Sequence, residues 1–329
     1  MEGKETAVLV GTLLVTLGVA GGGFFLLSSS PKPDAGGTNS ANPSVVAPPN
    51  NETSSPPATT VKPDGALTGL QATLPNTPVV AMDGSVTMVR LVKQMQNSFS
   101  QQNPSIATTY GIPDGRPNGS NKGLQALAEG RVALAATSRP LKADQVAAGL
   151  VAIPVARDAL AVVVGINNPF KGALTTAQLR GIFNGSITNW NQVGGPNLPI
   201  RVLNRANASG TQELFKDVIL EGKDFPPNGT NYITWPRDET TPILRELGTN
   251  GISYTTVFQA RGQSLVRIVP IDGMVPTDVA NITNGRYPLS RFLYFAARRE
   301  VTPNARTFLE FALSPQGQQA VERAEFIPL

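Results

Sequence analysis

The chain has 329 residues, enough for two domains of ordinary size, and a formal net charge of only +4, with both signs mixed along the sequence. The absence of a long Lys/Arg stripe argues against nucleic acid as a partner. There are no cysteines and no histidines, which excludes disulfides, thiolate nucleophiles, Ser-His-Asp triads and His-based metal sites. We predict no cofactor and no metal.

The N-terminus carries an uncharged apolar run at residues 7–27, "AVLVGTLLVTLGVAGGGFFLL". At about 1.5 Å per residue, it is long enough to cross a hydrocarbon core of about 30 Å. A cleaved signal peptide is the alternative, although no clear A-x-A site follows the run. We predict that residues 1–27 form a single-pass membrane anchor and that the bulk of the chain is exported to the periplasm or extracellular space.

Residues 28–75 are rich in Pro, Ser, Asn, Thr and Gly. They lack the apolar periodicity needed to bury a core, so we predict a disordered linker.

From residue 76 onward, short β-like runs alternate with amphipathic segments, which is typical of α/β folds. The predicted strands are "TPVVAMDGS", "RVALAATS", "DALAVVVGI", "LPIRVLNR" and "PLSRFLYFAAR". The predicted helices are "VTMVRLVKQMQNSF", "KGLQALAEG", "RPLKADQVAAGL" with Pro140 in its first turn, "TTAQLRGIF", "GTQELFKDVIL" and "PNARTFLEFALSPQGQQAVERA", the last broken at Pro315.

Four turns share one pattern, in which a strand ends, a turn containing Gly, Ser or Thr follows, and a helix starts. They lie at residues 83–87, 118–121, 137–139 and 209–211. In an open α/β sheet such turns lie at the carboxyl ends of strands, where ligands bind.

The fourth turn, in "RANASGTQELF", has two interpretations. Ser209 is a good N-cap and Gln212 completes a capping box, which explains the stretch as a helix with nothing bound. The same helix start also suits an anion, because its first N–H groups lack partners and its dipole is positive there. Gly210 and Thr211 would donate to that anion, and Arg205 would meet it with its guanidinium fork.

The other three turns are also ambiguous when taken singly. Ser85 and Thr87 are typical helix-start residues, and Ser120 is typical of a loop. Arg139, just before Pro140, would ordinarily be a solvated first-turn residue. Taken together, four such helix starts, two of them with an arginine, would suit one tetrahedral oxyanion held without a metal.

The spacing Arg-x-x-x-Ser-Gly-Thr at 205–211 resembles the anion-binding signature of the phosphate-binding proteins of ABC transporters. Other fragments resemble this family in the same order, among them "DGSVTM", "NGSNKGLQALAEGRV", "ATSRPL", "FNGSITNWNQV", "YPLSRFLYF" and "FLEFALSPQGQ". The resemblance implies an α/β, two-lobed periplasmic-binding-protein fold in which the chain crosses twice between lobes that close on the ligand. Lobe one would comprise residues 76–156 and 286–329, and lobe two residues 157–285.

The resemblance also implies a set of residues that contact phosphate. They are Ser85, Val86 through its backbone, Thr87, Ser120, Arg205, Ser209, Gly210 and Thr211. We add Arg139, which stands where several phosphate binders carry an aspartate that accepts a proton from phosphate and so rejects sulfate. Arg139 would raise the affinity for any dianion, and Asp83 or Asp158 is a candidate for the proton-accepting role.

The expected function is that of an exported, membrane-tethered, monomeric binding protein that captures inorganic phosphate and passes it to an ABC transporter permease, without catalysis. One alternative is a binding protein or sensor for another oxyanion such as sulfate. A hydrolase of phosphate esters would need Ser209 or Ser120 as nucleophile and a base other than histidine, such as Lys122. A structural surface protein is the third alternative.

Overall fold

A computed structural model of the chain describes residue 65 and residues 67–329. The predicted anchor and the predicted linker before residue 65 lie outside the described residues. Within the part that is described, no helix combines the length and the apolar character needed to span a membrane.

Residues 67–74, the end of the predicted linker, pack against the folded part of the chain. Leu70 is buried in an apolar core, with Leu67 packed beside it. The backbone N–H of Gln71 donates to the carbonyl of Arg299 (2.7 Å). The structure differs from the predicted linker here because two leucines provide apolar contacts that the polar composition of the segment obscures.

The described residues form one sheet of nine strands with ten α-helices around it. The strands are β1 Val79–Gly84, β2 Ala107–Tyr110, β3 Leu134–Thr137, β4 Leu150–Gly165, β5 Arg201–Asn204, β6 Tyr232–Thr234, β7 Gly251–Thr256, β8 Val266–Val269 and β9 Ser290–Arg298. The helices are α1 Val89–Gln102, α2 Ser120–Ala128, α3 Ala143–Ala147, α4 Thr176–Phe183, α5 Gly210–Ile219, α6 Thr241–Arg245, α7 Val257–Arg261, α8 Val279–Thr283, α9 Pro303–Leu313 and α10 Pro315–Arg323.

The sheet runs in the order β2-β1-β3-β9-β4-β7-β5-β6, with β8 paired to β4 off this path. In lobe one, β1 pairs in parallel with β2 and β3, and in lobe two, β5 pairs in parallel with β6 and β7. The first part of β4 pairs antiparallel with β9, and its last part pairs antiparallel with β7 and β8. The two-lobed α/β fold is therefore joined by two adjacent antiparallel strands.

Each lobe has its own apolar core. In lobe one, Phe308 of α9 packs edge-on against Phe99 of α1, with ring centroids 5.1 Å apart, and against Phe295 of β9 at 5.4 Å. In lobe two, Phe215 of α5 stacks on Tyr254 of β7 at 3.8 Å. Such contacts between buried rings fix α5, and with it the start of that helix, against the sheet of lobe two.

Most of the predicted elements are confirmed, and α9 and α10 meet at Ser314, directly before Pro315. The helix predicted from Val86 opens as a 3-10 turn, Val86–Met88, before α1. Strands β2, β6, β7 and β8 have no counterpart among the predictions. These strands are short, and β7 buries the polar residues Ser253, Thr255 and Thr256.

The helix predicted for "RPLKADQVAAGL" is wrong over its first four residues, because α3 begins only at Ala143. A residue before proline is pushed out of the helical region, which disfavours a helix that includes Arg139. The side chain of Gln145 instead accepts a hydrogen bond from the backbone N–H of Lys142 (3.0 Å), which places the helix start at that residue.

Candidate functional site

The first turn, at the end of β1, is fixed by a carboxylate. Asp83 accepts hydrogen bonds from the backbone N–H of Gly84 (2.8 Å) and of Asn118 (3.0 Å), and from the Asn118 amide (2.9 Å). The Tyr110 hydroxyl donates to the carbonyl of Ser85 (2.6 Å). Burial, together with nearby carboxylate charge, raises the pKa of Tyr110, which keeps this hydroxyl a donor.

The second and third turns meet through their serines. Ser120, the first residue of α2, accepts a hydrogen bond from the backbone N–H of Ser138 (3.2 Å), and the two hydroxyl oxygens lie 3.4 Å apart. Both residues are buried. Two hydroxyls of lobe one are thus held side by side without contact with water.

Lobe one and lobe two touch at the predicted site. Thr87 lies in the 3-10 turn that Val86 begins, and its Oγ1 is 3.1 Å from Oγ1 of Thr211, in the first turn of α5. A Cβ atom added to Gly210 would lie 2.3 Å from Ser120 Oγ, far inside normal contact. The start of α5 reaches lobe one this closely because residue 210 has no side chain.

The start of α5 departs from the predicted capping box, which is wrong. Ser209 is the N-cap residue, but its side chain makes no capping hydrogen bond. Gln212 donates its amide to the carbonyl of Arg205 (2.8 Å) and to the side chain of Asn207 (3.0 Å). The Ser209 hydroxyl accepts from Arg205 in place of capping, and no side chain among the described residues caps the first N–H groups of α5.

Arg205 is buried behind this helix start and is held on three sides. Its Nε donates to Ser209 Oγ (3.2 Å), one terminal nitrogen donates to Thr240 Oγ1 (2.7 Å), and the other pairs with Asp238 (2.5 Å). The ion pair is almost fully buried, with side-chain exposures of 1% and 6%. The guanidinium is therefore locked in one orientation and its charge is balanced.

The structure separates the Arg139 guanidinium from the other predicted residues. It donates to Asn121 Oδ1 (3.0 and 2.8 Å), to the carbonyl of Pro140 (2.6 Å) and to Gln145 Oε1 (3.1 Å). Burial lowers the pKa of Arg139, and the acidic side chains nearby, Glu213 first among them, oppose that shift. The backbone of Arg139 belongs to the third turn, and its side chain is buried, which corrects the expectation of a solvated residue. The guanidinium lies between α2 and α3, near the acidic side chains of α5.

Arg291 of β9 and its partner Asp158 of β4 form a second buried ion pair. Two guanidinium nitrogens donate to Asp158 Oδ2 (2.9 and 2.6 Å), and Thr256 donates to Oδ1 of the same carboxylate (2.8 Å). The third nitrogen donates to the Ser138 carbonyl (3.2 Å) and to Thr211 Oγ1 (2.9 Å). Burial lowers the pKa of Arg291, and the charge and hydrogen bonds of Asp158 oppose the shift.

Arg291 is absent from the site residues predicted from the sequence, although the strand sequence around it contains a clue. A single arginine interrupts the apolar strand sequence "PLSRFLYFAA", and a charge in a buried strand needs a partner. Asp238 and Thr240 were also missed, because they lie in a polar loop whose sequence has no distinctive pattern. Among the predicted residues, Thr87 meets Thr211 and Ser120 lies against Gly210 across the lobes. Arg205 contacts Ser209 within lobe two, and Ser85 and Val86 lie at the start of the 3-10 turn that carries Thr87.

The sequence is similar to those of known proteins along most of its length. A family model described as a PBP superfamily domain matches residues 51–316. Protein SphX of Synechococcus elongatus is 31% identical over 272 residues, which cover 76% of this chain and 77% of that protein. Phosphate-binding protein PstS of Pseudomonas aeruginosa is 30% identical over 272 residues, covering 75% and 81% of the two chains.

Solved structures give the same relationship. A Clostridium perfringens substrate-binding protein, determined with bound phosphate, superposes with a TM-score of 0.66 at 26% identity and covers 76% of this chain and 99% of its own. An ABC-type phosphate transport receptor from Vibrio cholerae superposes with a TM-score of 0.64 at 25% identity, covering 76% and 100%.

Proposed function

The chain belongs to the PBP superfamily, within the family of phosphate-binding proteins of ABC transporters, and on that premise we propose that it captures inorganic phosphate between its lobes and delivers it to a membrane permease. Lobe one, in this proposal, comprises residues 76–156 and 286–329, and lobe two residues 157–285. Binding is followed by release to the permease without chemical change.

The observation that carries the proposal is the set of donors from both lobes that meets at the start of α5. A helix start supplies backbone N–H groups and a positive dipole end, and the threonine and serine hydroxyls add further donors in a buried setting. The proposed phosphate ligands are Ser85, Val86 through its backbone, Thr87, Ser120, Arg205, Ser209, Gly210 and Thr211. Arg139 contributes positive charge from its buried position between α2 and α3.

The same contacts support a binding protein over a hydrolase. A nucleophilic serine needs a base within hydrogen-bond reach. Ser209 Oγ instead accepts a hydrogen bond from Arg205, and Ser120 Oγ accepts one from the Ser138 backbone. A serine that accepts from a cation or an N–H group is suited to donate its own hydrogen to an anion.

We further propose that residues 7–27 hold the protein in the membrane, so that the lobes act outside the cytoplasm. The uncharged 7–27 run supports this. Carbonate extraction of membranes, together with N-terminal sequencing of the mature protein, tests it. Recovery of a soluble protein that starts after residue 27 would contradict the anchor and favour a signal peptide.

Phosphate titration of the purified full-length chain by calorimetry tests the binding function. We expect saturable binding at micromolar phosphate, and weaker binding by at least about tenfold in Arg205→Lys, because a lysine cannot reproduce the three-sided guanidinium contacts. Arg201→Gln is the matched control, since Arg201 begins β5, the strand that ends directly before Arg205, and donates to the carbonyl of Glu246 in an exposed contact. If the titration shows no binding of phosphate to the native chain, the proposal is wrong.

Sulfate is a second candidate ligand, because the two carboxylates that could distinguish phosphate from sulfate are already occupied by hydrogen-bond donors. Rejection of sulfate needs an acceptor for the proton of phosphate, and the two candidate carboxylates already hold several donors each. Asp83 accepts from three N–H groups, and Asp158 accepts from Arg291 and Thr256. Competition of sulfate against phosphate at pH 6 and pH 8 distinguishes a phosphate-selective site from a general oxyanion site.

A further inference from the structure

We propose that Arg291 is a positioning residue for the bound anion, acting through the hydroxyls of Thr211 and Thr87. The inference rests on the proposed function, since it concerns how the same site orients its donors. Arg291 lies on β9, one of the two strands that join the lobes, and directly opposite Asp158 in the register with β4.

The guanidinium of Arg291 is placed between the lobes. The nitrogen not engaged with Asp158 donates both to the carbonyl of Ser138 in lobe one and to the hydroxyl of Thr211 in lobe two. Its side chain is 1% exposed and that of Asp158 is 4% exposed, so water does not compete for these contacts. Thr256 occupies the second carboxylate oxygen of Asp158, which fixes the ion pair from the far side.

The direction of the hydrogen bonds follows from the chemistry of arginine. A guanidinium has N–H donors and no acceptor, so Thr211 Oγ1 must accept from Arg291. The hydrogen of the Thr211 hydroxyl is then left for another acceptor, either Thr87 Oγ1 at 3.1 Å or an oxygen of the ligand. If Thr211 donates to Thr87, the hydrogen of Thr87 is in turn available to the ligand.

In both arrangements the chain that starts at Arg291 ends in a hydroxyl hydrogen directed at the ligand. Charged donors strengthen the hydrogen bonds that follow them, because the polarised hydroxyl becomes a better donor. The threonine side of the site therefore selects oxygens that carry no proton. A proton on the bound oxyanion would lie on another of its oxygens, away from Thr87 and Thr211.

The test is a double-mutant cycle in the full-length chain, with the phosphate dissociation constant measured by calorimetry. Arg291→Gln alone would leave Asp158 charged and unpaired in the interior, so the charge pair is removed as a unit in Asp158→Asn/Arg291→Gln. The paired substitution is made both in the native chain and in a chain that carries Thr211→Val. Thermal unfolding of each variant, without phosphate, verifies that it is folded.

If Arg291 acts through Thr211, the pair change raises the dissociation constant about tenfold in the otherwise native chain and less than about twofold in the Thr211→Val background. Arg291→Lys, which keeps a donor-only cation beside Asp158, is expected to retain most of the affinity. Arg299→Gln removes an exposed arginine just beyond the end of the same strand and is expected to bind as the native chain does.

Each outcome has a distinct meaning. Equal losses from the pair change in both backgrounds would show that Arg291 supports the fold and does not orient the threonines, which overturns this inference and leaves the proposed function standing. Failure of the native chain and of Arg299→Gln to bind phosphate overturns both.

Discussion

Gly210 lies where the start of α5 meets lobe one, and a methyl group there should block closure without harming the fold. In Gly210→Ala the new Cβ would lie 2.3 Å from Ser120 Oγ and 2.9 Å from Ser138 Oγ, both in the opposite lobe. Alanine is the better helix former, by up to about 1 kcal/mol in a helix interior, so lobe two itself should not lose stability. We expect phosphate affinity to fall at least about tenfold, measured by calorimetry, with an undiminished melting temperature in the absence of phosphate.

Gly262→Ala is the matched control for this prediction. A Cβ at residue 262 would meet only one carbonyl, at 3.7 Å, which is an ordinary contact. Native-like binding by Gly210→Ala would mean that the bound state is more open at the start of α5 than the structure described above.

Arg139 should act on anions through its charge alone. Its guanidinium hydrogen bonds go to Asn121, Pro140 and Gln145, so it contributes no directional contact that could distinguish one dianion from another. In Arg139→Gln we expect the affinities for phosphate and sulfate at pH 8 to fall by the same factor, of about two to five, because the lost charge acts on both dianions from a distance. Competition calorimetry measures both, and a change in the ratio of the two affinities would assign Arg139 to direct recognition.

The site residues that could be identified from the sequence are those whose partners lie a few positions away in the chain. Arg205 and Ser209 lie within one turn of each other in a recognisable spacing, and the structure hydrogen-bonds them directly. Arg291 and Asp158 are 133 residues apart, and they meet only because β4 and β9 pair in one register. No pattern of neighbouring residues encodes that register, which is set by the apolar faces of both lobes.

At the scale of elements, the start of α3 in lobe one and helix α5 in lobe two are joined by a salt bridge. Lys142 Nζ and Glu213 Oε1 lie 2.5 Å apart, with side-chain exposures of 50% and 15%. Asn121 at the start of α2 adds a hydrogen bond from its amide to the carbonyl of Asn207 (3.1 Å). These contacts exist only while the lobes are together, so they favour the closed state.

Reversing the charge of either partner should therefore speed phosphate release. We expect Lys142→Glu or Glu213→Lys to raise the dissociation rate about twofold to fivefold, the size of effect given by half-exposed ion pairs, and the double reversal to recover most of the native rate. Stopped-flow measurement of phosphate release is the readout. If all three variants released phosphate at the native rate, breaking this salt bridge would not be part of the rate-limiting step.

The same salt bridge gives a pH dependence with a defined sign. Burial raises the pKa of Glu213, but the hydrogen bond and charge of Lys142, helped by Arg139 and Lys216, outweigh burial and leave the pKa below its ordinary value of 4.5. A lowered pKa in the closed state means that the contact stabilises closure above that ordinary value and is lost as the pH falls through the lowered one. Release rates measured from pH 7 down to pH 5 should therefore show no contribution from Glu213.

Elements were predictable where one apolar face dominates, as in α1 and α5, and were missed where polar residues are buried. The strand β7 holds three buried hydroxyl residues in place of the apolar alternation expected of a strand, and two of them, Ser253 and Thr256, bond to distant partners. The misplaced start of α3 has a similar origin. Pro140 fits the first turn of a helix in isolation, but in the fold its carbonyl accepts from the Arg139 guanidinium, which also donates to Asn121 of α2.

At the scale of the whole molecule, the lobes also meet away from the helix starts of the site. Arg90 of α1, in lobe one, lies over the ring of Phe258 of α7, in lobe two, 4.3 Å from its centroid. Within lobe one, Arg90 pairs with Glu325 (2.7 Å), which holds the guanidinium in place. Because α1 and α7 come from different lobes, a ligand held between the lobes should stabilise the two cores together.

We therefore expect phosphate to raise the melting temperature of the full-length chain as a single transition. At a hundred times the dissociation constant, a ligand that binds only the folded state adds about 2.7 kcal/mol, which corresponds to a rise of several degrees for a chain of this size. Differential scanning calorimetry with and without phosphate measures the shift, and Gly210→Ala, which keeps the fold but hinders closure, should show little of it. If phosphate shifted the native chain and Gly210→Ala equally, the anion would be held by one lobe alone, and the contacts between Thr87 and Thr211 would not belong to the bound state.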